Sequence, residues 1–561
     1  MGSRRRTKET VVEKIWLEQY PEGVPPVVDT TEYDSLIHLF ETSCKRYAKQ
    51  VAYVSLGKEM TYAELDRQSR AFAGWLQSKG LGKGDAVALM MPNLLQYPVC
   101  LFGILRAGCV MVNCNPLYKP RELEYQLVDS QAKAIVIAEN FAHVLEHVKD
   151  RSHLKQVVVT AVGDLLGGFK RMLVNFVVRR VKKGVPPWSL PGAVWLRDAL
   201  AQGAARRFDP PSLTASDLAF LQYTGGTTGV AKSAMLSHGN LVANVCQAHA
   251  WIRASVREGK ECIVTALPLY HIFALTANCL IFMKIGARNV LVTDARDIPG
   301  LIKTMRDSGM TAFTGVNTLF NALLNHPEFA KLDFSQLRLT LGGGMAVQRV
   351  VAERWKEITG TPLVQAYGLT ETSPAVTINP MDGHHVEGSI GLPLPSTELS
   401  IRADDGKELA IGETGEICVR GPQVTSGYWK RPEETALAFY ADGFLRTGDI
   451  GYVDDRGFVF LVDRKKDIIL VSGFNVYPNE IEEVVATHPG VREVAAVGVP
   501  DERSGEAVKL FVIRRDPALT AEALIAFCRQ QLTGYKIPRH VEFREDLPRT
   551  NVGKILRREL R

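Results

Sequence analysis

Short apolar runs recur through the first two thirds of the chain, at residues 134–138, 156–160 and 289–293, and none of them alternates with polar positions. A strand without a polar side is one buried on both faces. Longer stretches with helical spacing, such as residues 121–127, lie between these runs. This order of elements predicts a mostly parallel sheet covered by helices on both sides. After about Gly388 the texture changes to short runs broken by Gly421-Pro422 and Gly427-Tyr428-Trp429, with an apolar run at 415–420. That pattern predicts antiparallel or barrel-like structure.

A charged stretch, Asp463-Arg464-Lys465-Lys466-Asp467, separates strand candidates at 458–462 and 468–471 and is the best boundary candidate. Beyond it, helices at 478–487 and 520–532 and strands at 494–499 and 508–513 suffice for a small α+β domain. The expected fold class is α/β. A large multi-layer domain, residues 1–462, combines parallel sheets flanked by helices with a small barrel-like part, and residues 463–561 form the second domain.

Two uncharged stretches, 86–105 and 263–283, approach the length of a membrane span. Pro92, Asn93, Gln96 and Pro98 in the first and Pro268, His271 and Asn278 in the second would leave polar groups unmet in lipid. Both read as buried strand–loop–helix segments. A third stretch, 169–183, sets Phe169, Met172, Leu173, Phe176 and Val177 at helical spacing beside Lys170, Arg171, Arg179, Arg180, Lys182 and Lys183. It reads either as a helix resting on an anionic membrane surface or as an ordinary helix packing its apolar side on the large domain, and Arg180 falls on that apolar side.

Composition narrows the classes. Hydrophobic residues make up 46% of the 561 positions and charged residues 23%, as in an ordinary folded enzyme. The net charge of +6 is too small for nucleic acid to be the main partner. Nine scattered cysteines without a C-x-x-C pair indicate neither a disulfide scaffold nor a zinc site. The basic start Met1 to Arg6 leads into polar residues, so a cytoplasmic protein is expected.

The sharpest chemical feature runs from Tyr223 and Thr224 through Gly225, Gly226, Thr227, Thr228 and Gly229 to Lys232. Glycines allow backbone N–H groups to turn toward one point, and hydroxyls and a lysine complete the inventory that binds phosphate. It misses the Walker pattern only at Ala231. A Walker loop opens directly into a helix, whereas Ala234-Met235-Leu236 reads as a strand end and Ser237 as the N-cap of a later helix.

Five segments follow in order: Pro268-Leu269-Tyr270-His271-Ile272-Phe273, Gly342-Gly343-Gly344, Tyr367-Gly368-Leu369-Thr370-Glu371, Thr447-Gly448-Asp449 and Asp463-Arg464-Lys465, before a terminal Asn551-Val552-Gly553-Lys554. With the phosphate loop they resemble the ATP-dependent adenylate-forming enzymes, the acyl-CoA synthetases and their relatives. The stretch from Asp463 to Glu480 is most similar to that of bacterial long-chain fatty acid–CoA ligases.

The resemblance implies two half-reactions: a carboxylate and ATP give acyl-adenylate and pyrophosphate, then the CoA thiol displaces AMP. It implies ATP contacts from Tyr223 to Gly229 and from Lys232, Gly344, Tyr367, Gly368, Thr370, Glu371, Asp449 and Arg464. Glu371 would hold Mg²⁺, a role that suits one carboxylate beside phosphates. Lys554, Glu371 and Lys232 are the implied catalytic set, with Lys554 countering charge as the carboxylate attacks. The C-terminal domain is implied to rotate between steps about Asp463, presenting Gly473 and Phe474 to CoA. Tyr270, His271, Phe273, Gly315 and Gly342 are implied to shape the acyl pocket, although a core histidine or a base remains an alternative for His271.

Amino-acid-activating relatives place an aspartate soon after the Tyr270 segment; Ala274-Leu275-Thr276-Ala277 follows here, so a substrate without an amino group is expected. Transfer to a carrier protein and a noncatalytic acyl-binding protein are the rival readings. The expected partners are fatty acid, ATP and CoA, with room for a homodimer and for peripheral contact with the inner face of an anionic membrane. One departure stands out: Ser233 occupies the place where the family has glycine, which would strain the loop if φ were positive there.

Overall fold

The computed structural model describes residues 14–224, 231–550 and 553–561. Two sheets form the frame of the large domain. The first runs Val194–Trp195, Gln156–Thr160, Ala134–Ala138, Ala86–Met90, Val110–Asn113, Leu218–Thr224 and Lys232–Ser237 in space, parallel except for the last strand. The second has a parallel centre of Leu363–Gly368, Leu339–Gly342, Ala312–Gly315, Cys262–Thr265, Arg288–Leu291 and Val51–Ser55, with antiparallel strands at both edges. The centres of these strands are buried on both sides, as their unbroken apolar runs predict.

Both uncharged stretches are strand–loop–helix units, Ala86–Met90 leading to Gln96–Arg106 and Cys262–Thr265 leading to helix from Ile272 to Lys284. No helix among the described residues is long and apolar enough to cross a membrane. Ser237 caps the helix His238–Ile252 by accepting from Asn240 N, and Lys232–Ser237 is a strand, which excludes a Walker arrangement. All nine cysteines are free and buried.

The predicted change of texture becomes an antiparallel sheet, Glu398–Arg402, Gly415–Arg420, Leu445–Val453 and Val459–Arg464. Its last strand runs two residues into the charged stretch. Arg464 pairs with Asp449 and Asp463 with Ile450 across the ladder, because both side chains find polar partners there. Beyond it, Phe474–Val476, Ile469–Val471, Gly505–Arg514, Val491–Asp501 and His540–Phe543 build a separate sheet, packed by Pro478–Ala486 and Ala521–Gln531 around its own core of Ile469, Ile481, Leu510 and Leu524.

The helix Gly168–Phe176 continues as a π-helical turn, Val177–Val181, and sits opposite to the ordinary packing expectation. Its apolar residues face outward, with Phe169 77%, Met172 63%, Phe176 59% and Val181 64% exposed. Polar side chains hold it down instead. Asn175 Oδ1 accepts from Gly163 N at 2.7 Å, and the Arg179 guanidinium grips the buried Glu139 carboxylate at 2.7–3.0 Å.

Candidate active site

Five parallel strands from the two sheets end at one cleft: Leu218–Thr224 leads into the phosphate loop, Cys262–Thr265 into the Tyr270 segment, Ala312–Gly315 into Val316, Leu339–Gly342 into Gly343-Gly344 and Leu363–Gly368 into Glu371. Carboxyl ends of parallel strands are where α/β sheets bind ligands, since loops there diverge while the strands hold them in register. Gln222 Nε2 donates to Tyr270 O at 2.9 Å and so ties the two sheets together at this edge.

Gly225, Gly226, Thr227, Thr228 and Gly229 lie outside the described residues, but the neck of their loop is defined. Thr224 pairs with Lys232 across it, and the Thr224 hydroxyl donates to Lys232 O at 3.4 Å. A polar network anchors both sides. Tyr223 OH donates to Asp129 Oδ2 (2.7 Å), Tyr125 OH to Ala231 O (2.7 Å), and Arg431 Nη2 to Asp129 Oδ1 (2.9 Å) and to Tyr125 OH (3.2 Å). Ser233 lies in the strand opposite Tyr223 and is not among the residues with positive φ, so the loop strain considered for it does not arise.

Glu371 is half-buried among polar neighbours. Tyr428 OH donates to its Oε1 at 2.8 Å, and the Lys232 ammonium lies 5.5 Å from the centre of the same tyrosine ring. Burial pushes the Glu371 carboxyl above its ordinary range, against the pull of its hydrogen bonds and of Arg464. Among the described residues no cluster of three or more His, Cys, Asp or Glu could cage a metal. A single carboxylate beside a phosphate loop fits Mg²⁺, which keeps few protein ligands and takes the rest from phosphates and water.

Asp449 is the hub of the opposite wall. Its carboxylate accepts from Tyr367 OH at 2.7 Å and has Arg464 Nε 3.3 Å away, while its backbone N–H donates to Thr447 Oγ1 at 3.1 Å. Gly368 is required for close approach, because a Cβ there would come 1.9 Å from Pro374 O. Gly344 has φ +77°, the left-handed region that glycine tolerates, and Thr370 opens the short turn that carries Glu371.

The small domain delivers Lys554 to this wall. Thr318 Oγ1 of the large domain donates to Gly553 O at 3.0 Å, and a Cβ on Gly553 would lie 2.8 Å from that hydroxyl. Burial, then Arg464, push the Lys554 ammonium down to about 7. His271 lies close enough for Lys554 to act on it. Its Nδ1 accepts from Phe273 N at 3.3 Å, and burial, reinforced by Lys554, pushes it down to about 4. A neutral ring in this place is suited to lining rather than to proton transfer. Phe273 packs on Gly343, while the space a Cβ would take at Gly315 and Gly342 is filled by Phe320 and Val347.

Asp463 is 1% exposed and accepts from Asn479 N at 2.8 Å, with Arg557 Nη1 3.7 Å away. Burial raises its carboxyl to about 6. Gly473 and Phe474 stand apart from the cleft: Gly473 has open space around it, and Phe474 is 56% exposed and stacks on Tyr535.

The AMP-binding enzyme family profile matches residues 40–429, and that of the AMP-binding enzyme C-terminal domain matches 480–554. This chain belongs to the AMP-binding enzyme family. It is 59% identical to a long-chain-fatty-acid–CoA ligase of Escherichia coli O157:H7, over 98% of both chains. Among solved structures it resembles an anthranilate CoA ligase in complex with anthranoyl-AMP (25% identity, TM-score 0.84, 95% of this chain and 98% of that one). It also resembles ATP-bound MatB from Rhodopseudomonas palustris, with 30% identity, TM-score 0.81 and coverage of 94% and 98%.

Asp129, Tyr125, Arg431, Tyr428 and Arg557 belong to this site and draw no functional reading from the sequence. Tyr428 stands in a segment that the pattern marks only as a break between apolar runs, and Arg557 and Asp129 carry no local signal.

Proposed function

We propose that the protein activates long-chain fatty acids to acyl-CoA by way of an acyl-adenylate. The observation that carries this reading is Lys554, brought by the small domain to the Asp449–Arg464 wall, while relatives alike over the whole chain carry the long-chain ligase name. In the first step a carboxylate oxygen of the fatty acid attacks the α-phosphorus of ATP and pyrophosphate leaves. Lys554 sits where charge builds on the attacking and phosphate oxygens, and preorganised charge of this kind is usually the largest catalytic contribution. Lys232 and the phosphate loop orient the leaving phosphates, and Asp449 with Arg464 holds the ribose. Glu371, together with the phosphates, would hold Mg²⁺, which would supply charge neutralisation there.

In the second step the CoA thiolate attacks the acyl carbonyl and AMP leaves. The domains divide close to Asp463, where the strand Val459–Arg464 ends, and rotation about Asp463 carries Lys554 out and brings Gly473 and Phe474 in. Tyr270, His271 and Phe273 line the acyl pocket, with Gly315 and Gly342 at its floor. The reaction belongs in the cytoplasm, at or near the membrane that stores the acyl substrate. Pyrophosphate release and acyl-CoA formation, followed over a series of fatty acids with ATP, Mg²⁺ and CoA, test the proposal. Turnover that rises with chain length is expected, and CoA-independent activity on short acids alone would overturn it.

A further inference from the structure

We propose that the outward face of the helix Gly168–Val181 docks the enzyme on an anionic lipid bilayer, on the side of the molecule that carries the Tyr270 segment. The helix is inverted relative to an ordinary surface helix: Asn175 and Arg179 are spent on the protein body, and Phe169, Met172, Leu173, Phe176 and Val181 project into solvent. Side chains of that size bury in the boundary between headgroups and acyl chains. Charge complements them. Residues 165–197 contain no Asp or Glu, and Lys170, Arg180, Lys182 and Lys183 are exposed around the apolar stripe. Arg180 rises from the stripe itself, four residues after Phe176, where a long basic side chain reaches the headgroups while its stem stays among the apolar groups.

Hydrogen bonds connect the foot of the helix to the site. Gln96 Nε2 donates to Ala161 O at 2.8 Å, two residues before the Gly163 that holds Asn175. Asn93, three residues before Gln96, accepts from Leu269 N at 2.8 Å, next to Tyr270. The docked face therefore borders the segment assigned above to the acyl pocket, an assignment on which this link to the pocket rests. A second copy of the chain fits the face less well. A twofold contact would set the same four cations against each other without an acid in the segment to offset them.

The test uses the full chain, cosedimented with phosphatidylglycerol-containing phosphatidylcholine vesicles and with pure phosphatidylcholine vesicles. Binding to the anionic vesicles is expected, weakening as salt is raised. The Arg180→Gln/Lys182→Gln/Lys183→Gln variant should lower the partition constant on the order of 100-fold. Phe169→Ser/Met172→Ser/Phe176→Ser should lower binding at every salt concentration. Both variants alter exposed groups and should keep wild-type pyrophosphate release on a soluble short-chain acid without vesicles, an assay that reads the ligase activity independently of docking. Wild-type protein that stays in the supernatant, or variants that sediment as wild type does, would overturn the proposal. So would light scattering in which the serine variant converts a wild-type dimer to monomer, since the face would then be a contact between subunits.

Discussion

With its ammonium held down to about 7 by burial and by Arg464, Lys554 is largely neutral above that pH until anionic phosphates arrive beside it. Phosphate charge favours the protonated form, so ATP binding at pH 8 should take up close to one proton. Calorimetry in buffers of different ionisation heat reads this uptake, and Lys554→Met should abolish it. The same variant should lose roughly 10²- to 10³-fold in adenylate formation while thioester formation from supplied acyl-adenylate persists. Glu371→Gln keeps the Tyr428 contact but removes the charge, and the magnesium concentration for half-maximal rate should rise at least several-fold while fatty-acid binding stays unchanged. Ser233 behaves differently: its buried Oγ finds no hydrogen-bond partner among the described residues. Ser233→Ala should therefore leave activity intact and raise stability by up to about 1 kcal/mol in chemical denaturation.

Tyr223 and Ala231, on the two sides of the neck before and after the phosphate-loop glycines, are held by elements that are far apart in sequence. Asp129 closes the helix Pro120–Ser130, and Arg431 precedes the helix Pro432–Ala438, 302 residues later. Asp129→Asn leaves the shape and takes the charge from Arg431. It should raise the KM for ATP with little change in the KM for CoA, and reduce stability by about 1–3 kcal/mol, because both partners are only partly screened from water. That network also marks the limit of what the chain's pattern could disclose. Strands such as Ala134–Ala138 and Gln156–Thr160 were legible because burial on both faces excludes polar residues, and the motif glycines because backbone geometry restricts the choice at those places. Asp129 and Arg431 each look like ordinary surface residues until the fold brings them together. The orientation of the 168–181 helix was hidden for a related reason: periodicity finds an apolar face but does not say which way it turns, and here Glu139 and Gly163 decide that.

At the scale of the whole molecule, the hinge proposed at Asp463 should couple protonation to the arrangement of the domains. Its carboxyl, raised to about 6 by burial, favours this docked arrangement while protonated, and that contribution is lost as pH rises from its ordinary value of 3.8 through 6. Against an arrangement in which the carboxyl is hydrated, the full difference is on the order of 3 kcal/mol. Energy transfer between dyes on the two domains should report a falling docked population between about pH 4 and 6. The Lys554→Met background keeps the lysine from titrating in the opposite sense, and Asp463→Asn should flatten the curve. The small domain has one further consequence. Lys554 and the Gly473–Phe474 turn belong to a single body with its own core, and Gly553 seats against Thr318 without room for even a methyl group. Two faces of one body cannot occupy the cleft at once, so the proposed roles impose a strict calendar: pyrophosphate should depart before the thiol is admitted. Initial-rate plots with ATP varied at several CoA concentrations should then give parallel lines, and intersecting lines would mean that both faces act together.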